Sequence, residues 1–146
     1  MFKKSIVLLM AMFAVVFGAS EVSAAKITKK QAKAFFELFV LSAVDVEFHS
    51  SLRDTKGFDS SDCWKGFNDD WDEFKIKEIE YDEEDDFSIV SGHFYEDGEM
   101  DEWQYAFVLV KEEKSWVISA VLRTFDDGET VYAYNFEKAK YEKMKE

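Results

Sequence analysis

Asp45 and His49 stand four residues apart, a spacing that puts a carboxylate and an imidazole on one face of a helix. A carboxylate orienting an imidazole is the core of a general base, and His93 could complete the set from a strand. The same pairing arises wherever a helix leaves the core and turns polar, as Glu47, Ser50, Ser51, Arg53 and Asp54 suggest. Asp45, His49 and His93 therefore stand as candidates only, and no catalytic residue is assigned. Cys63 adjoins Trp64 among Asp59, Asp62, Asp69 and Asp70, anions that disfavour the thiolate a nucleophile needs. A lone cysteine cannot close an intramolecular disulfide, so Cys63 is a buried thiol or an intermolecular handle. No Cys or His cluster has zinc spacing, and neither a metal nor a cofactor is expected.

Carboxylates are the commoner signal. Asp82 to Asp86 is an unbroken acidic run; Glu96, Asp97, Glu99, Asp101 and Glu102 form a second group, and Asp126, Asp127 and Glu129 a third. Oxygen-rich groups suit calcium, yet none follows the regular calcium-binding loop. Their simplest role is as solvated turns that keep sheet edges from aggregating. As a binding surface they suit a basic partner, with Glu96, Asp97, Glu99, Asp126 and Asp127 as the candidate contacts. Trp64, Trp71, Trp103 and Trp116 are the candidate lining of a ligand pocket, against the plainer reading that they belong to the core.

The chain has 146 residues and a formal net charge of −13. Residues 1–24 read as a secretory signal peptide. Lys3 and Lys4 precede a short apolar stretch from Ile6 to Phe17, and Val22-Ser23-Ala24 offers the small residues of a cleavage site. Removing Lys3, Lys4 and Glu21 leaves 16 basic and 30 acidic residues, about −14 by formal count. Such a charge disfavours nucleic acid and anionic membranes. The expected product is periplasmic or secreted, without a stable membrane anchor after cleavage, and a monomer or homodimer. Fifteen Phe, six Tyr and four Trp demand a buried core, so residues 25–146 form one domain.

The elements that position these residues follow from periodicity. Thr28 and Gln31 fit a capping box opening a helix to about Leu52. That helix carries two adjoining stripes: Ala32, Phe35, Phe36, Phe39, Ala43 and Val46, then Ala34, Leu38, Leu41, Phe48 and Leu52. Trp64, Phe67, Trp71 and Phe74 share one face of a short second helix. Five antiparallel strands follow, at 74–81, 87–95, 103–111, 116–125 and 130–136. Short polar connections, two of them containing Asp-Gly, make them a meander. The tail from Phe136 reads as a terminal helical turn or a solvated end. The fold class is α+β: an N-terminal helix packed in the concave face of a curved antiparallel meander, plus the short helix.

The helix ITKKQAKAFFELFVLSAV, the strand–turn–strand YAFVLVKEEKSWVISAV and the helices-then-meander order resemble the nuclear transport factor 2-like (cystatin-like) superfamily. The likeness is to its small exported bacterial members. It implies a cone between helix and sheet that different members use for catalysis, small ligands or protein contacts. No stretch matches a family catalytic motif, so no residue role carries over. The expectation is an exported, acidic, non-catalytic binding module for a protein or small ligand. The alternatives are an inhibitor or immunity-type protein that fills a basic enzyme cleft, and an acid–base enzyme working in the cone.

Overall fold

Alternation with a period of two, broken by polar turns, makes the second half of this chain a sheet. The computed structural model describes residues 25–41, 71–125, 128–138 and 140–144. In them one helix, α1 (Lys29–Leu41), precedes six strands: β1 (Glu73–Asp82), β2 (Phe87–Glu96), β3 (Glu99–Glu112), β4 (Ser115–Thr124), β5 (Tyr132–Asn135) and β6 (Lys140–Lys143). The strands pair in chain order, each antiparallel to the next. The protein is thus α+β, mostly β. The expected leader at 1–24, the helix beyond Leu41 and the bulk of the second helix lie outside the described residues. Trp71 and Phe74, assigned to that second helix, instead stand just before β1 and within it.

Helix α1 starts on the predicted capping box. Thr28 N–H donates to Gln31 Oε1 at 2.9 Å, and Gln31 N–H donates to Thr28 Oγ1 at 3.1 Å. Ala32, Phe36 and Phe39 are buried from this helix, whereas Ala34 is exposed and Leu38 is 68% exposed. The second apolar stripe is therefore not buried where it is described. Phe36 and Phe39 meet Phe74, Phe94 and Phe107 of the sheet with ring centroids 4.4–5.8 Å apart. Rings at these separations and mixed angles pack edge to face, which adds to the burial of their area.

Both faces of the central strands are buried, as their two-sided apolar pattern requires. Phe94, Tyr105, Phe107, Leu109, Ile118 and Val121 join α1 on one face; Phe87, Ile89, Val108, Val117, Ala120 and Leu122 form a separate cluster on the other. Simple alternation along β4 would place Ile118, Ala120 and Leu122 together. The structure departs from it because Leu109 pairs with Ile118 while Val108 pairs with Ala120, leaving Ser119 as a bulge. One extra residue exchanges the faces of everything beyond it. A similar shift at Lys77 in β1 keeps Phe74, Ile76 and Ile79 against the helix-side cluster.

Three further expectations are corrected. The meander has six strands, and residues 140–143 are a strand, not a helical turn. Tyr141 lies 5.0 Å from Tyr134, and the Arg123 guanidinium lies 3.7 Å from the Tyr141 ring centre. These tertiary contacts outweigh the local helical preference of the Lys- and Glu-rich tail. Strand β3 also begins at Glu99 instead of Trp103, so Asp101 and Glu102 belong to a strand and not to a loop.

Candidate functional site

The tip of the β2–β3 hairpin is built by Asp97-Gly98. Both residues have positive φ, 50° and 81°, and Glu96 pairs with Glu99 across them. Two successive left-handed residues make the turn whose twist matches antiparallel strands, and Asp and Gly tolerate it best. Glu99 to Trp103 run past the last β3–β4 pair, Gln104–Thr124. The hairpin end therefore projects beyond its neighbour on that side.

Along this projection β2 and β3 fall out of step. His93 faces Gln104 and Tyr95 faces Met100, so residues 101–103 bulge opposite Phe94. Asp101 holds the bulge: its Oδ1 accepts from Trp103 N–H at 2.8 Å and its Oδ2 from Trp71 Nε1 at 3.3 Å. The segment before β1 closes the other side. Asp72 N–H donates to the Tyr95 carbonyl at 3.0 Å, and Asp72 Oδ2 accepts from Asp97 N–H at 3.0 Å. Trp71 lies flat on Phe94, 4.0 Å away. Between these walls is an open cleft of about 390 Å³, lined by Trp71, Glu96, Asp97, Glu99, Met100 and Asp101. It offers four carboxylates and a thioether that is part of a 56%-exposed side chain. No Lys or Arg lines it among the described residues.

Of the predicted partner contacts, Glu96, Asp97 and Glu99 come together in this cleft, while Asp126 and Asp127 lie outside the described residues. Of the predicted pocket lining, only Trp71 reaches it among the described residues. Trp103 packs on Phe125 and Tyr132 at 4.9 and 5.7 Å, and Arg123 stacks on its ring at 4.0 Å. Trp116 sits by the β3–β4 turn at the far end of the sheet, with Lys111 5.2 Å from its ring centre. Trp64 lies outside the described residues. The tryptophans that are described do not share one pocket.

His93 falls on the sheet face of Ile89, away from α1, and its Nδ1 is 3.2 Å from the Trp103 carbonyl. Asp45, His49 and Cys63 lie outside the described residues. No group of three or more Asp, Glu, His or Cys able to hold a metal occurs among the described residues.

Two features could not be read from spacing. Met100 and Asp101 enter the cleft through the β3 bulge, which no local pattern marks. Arg123 lies 4.0 Å from the ring centre of Trp103 and 3.7 Å from that of Tyr141. Burial pushes the Tyr105 phenol up, with Arg123 opposing, and pushes the Tyr141 phenol well up. At the other end of β2, Tyr81 donates its hydroxyl proton to Asp86 Oδ1 at 2.7 Å. That bond, with some burial, raises the Tyr81 phenol to about 12.

No family model matches this chain, and neither a curated protein nor a solved structure matches it.

Proposed function

We propose that this chain is an exported, acidic, non-catalytic binding module that engages a basic protein partner through the β2–β3 hairpin end. The observation that carries the reading is the projecting cleft, where Glu96, Asp97, Glu99 and Asp101 surround the exposed Met100 and the edge of Trp71. An open cleft with an aromatic wall and an acidic rim suits a Lys or Arg side chain. The carboxylates attract its charge, and Trp71 and Met100 cover its methylenes. A mature charge near −14 would steer such a partner from a distance. The inhibitor or immunity-type reading is the same surface applied to a basic enzyme cleft. In the nuclear transport factor 2-like reading, α1 occupies the concave side of the sheet, supported by the packing of Phe36 and Phe39 on Phe74, Phe94 and Phe107.

The test is native mass spectrometry of the protein isolated gently from its own host, beside a Glu96→Lys, Glu99→Lys variant. Both substitutions leave the Asp97-Gly98 turn intact. Added mass of a partner chain, lost in the variant and at raised salt, supports the proposal. Partner mass that survives both changes places binding elsewhere, and the bare chain in every preparation sinks the reading.

A further inference from the structure

The segment leading into α1 is tied to the β1–β2 end through its backbone. Ala25 N–H donates to Asp86 Oδ1 at 2.7 Å, and Ile27 N–H donates to Ser88 Oγ at 2.9 Å. The Ser88 hydroxyl donates in turn to the Ala25 carbonyl. Ala25 and Ser88 are buried, and Asp86 also receives the Tyr81 hydroxyl. Asp86 reaches this position with φ at 50°, a conformation Asp tolerates better than most residues. Ala25 is also the residue that follows Val22-Ser23-Ala24.

We infer that cleavage between Ala24 and Ala25 creates the terminal ammonium for which Asp86 is the built-in counter-ion, so that processing completes the fold. Hydrolysis consumes one water and breaks the amide C–N bond. It leaves Ala24 as a carboxylate on the leader and Ala25 as an ammonium on the mature chain. A nitrogen that donated one neutral N–H to Asp86 then carries a full positive charge and three protons. The bond to the Asp86 carboxylate, charge-assisted on the acceptor side alone before cleavage, becomes an ion pair with both partners charged. Asp82, Glu83, Glu84 and Asp85 occupy the same connection and favour a cation there. Ser88 binds the Ala25 carbonyl and the Ile27 N–H together, which holds the amine in register with Asp86.

The inference rests on reading residues 1–24 as an export leader, and the experiment separates the two. The full 146-residue chain is produced with its own leader, and the exported protein is weighed intact and mapped. The expected first residue is Ala25. An exported chain cut elsewhere overturns this inference alone, whereas a chain that stays inside at full length overturns the export reading with it. The exported protein is then treated with limiting acetic anhydride at neutral pH, and the rate at Ala25 Nα is followed by mass spectrometry. Ion pairing keeps the amine protonated and unreactive. Acetylation is expected to be roughly tenfold slower in the native protein than in Asp86→Asn or in the urea-unfolded chain, one unit of pKa being a factor of ten. Equal rates in the native and unfolded chains overturn the inference, even if Asp86→Asn fails to fold.

Discussion

Trp71 lies on Phe94 with ring centroids 4.0 Å apart and planes 7° from parallel. The same indole that walls the acidic cleft is therefore bonded into the core, and binding surface and fold share a side chain. Trp71→Ala removes the stacking and the donor to Asp101 and is expected to cost about 3 kcal/mol. Trp71→Phe keeps a ring on Phe94 and is expected to cost about 1 kcal/mol, the worth of the lost hydrogen bond. Urea unfolding of both variants checks this, and an equal cost for the two would show that the indole N–H decides.

Arg123 ties the last strand to the sheet. Its guanidinium lies 4.0 Å from the Trp103 ring centre and 3.7 Å from that of Tyr141. Arg123→Lys should not rescue it, because an ammonium neither stacks between two rings nor keeps the planar fork. A loss of about 1–2 kcal/mol is expected for either Lys or Met. Hydrogen exchange should speed up in β5 and β6 while β1 and β2 keep their protection. Uniform loss across all six strands would argue against this local role.

Gly92 in β2 pairs with Ile76 of β1, next to the register shift at Lys77. A Cβ there would run into the Lys75 carbonyl oxygen and lie 2.9 Å from the Phe74 ring. The nearer atom is backbone in a paired strand and cannot swing away. Gly92→Ala is expected to destabilise by about 2–3 kcal/mol. An unchanged thermal midpoint would mean that β1 moves freely over β2.

Tyr81 supplies a pH signature. Its hydroxyl bond to Asp86 raises it from the usual 10.0 to about 12, favouring the neutral phenol in the folded state. A group raised on folding contributes stability that is present in full below its unfolded value. That contribution is lost as pH climbs from 10.0 through about 12. Tyrosinate absorbance should show one of the late-titrating tyrosines of the native protein returning towards 10.0 in Asp86→Asn, while Tyr105 and Tyr141 stay high. If no tyrosine changes its titration in that variant, the bond does not persist in solution.

Much of the fold was legible in residue types. The Thr28–Gln31 cap, the two-sided apolar pattern of β3 and the Asp97-Gly98 turn each act over a few residues, and each forms as read. Carboxylates at Glu96, Asp97 and Glu99 were legible as a surface for the same reason, since a tight turn keeps its flanking residues together. Register was not. The extra residue at Ser119 exchanges faces along β4, and the bulge at 101–103 brings Asp101 to the indole of Trp71, thirty positions earlier in the chain. Tail residues 140–143 became a strand only because Tyr134 and Arg123 offered Tyr141 a surface that no short window contains. Local spacing settles which backbone shapes are available, and long-range packing selects among them, because the energy of one register over another resides in contacts between distant residues.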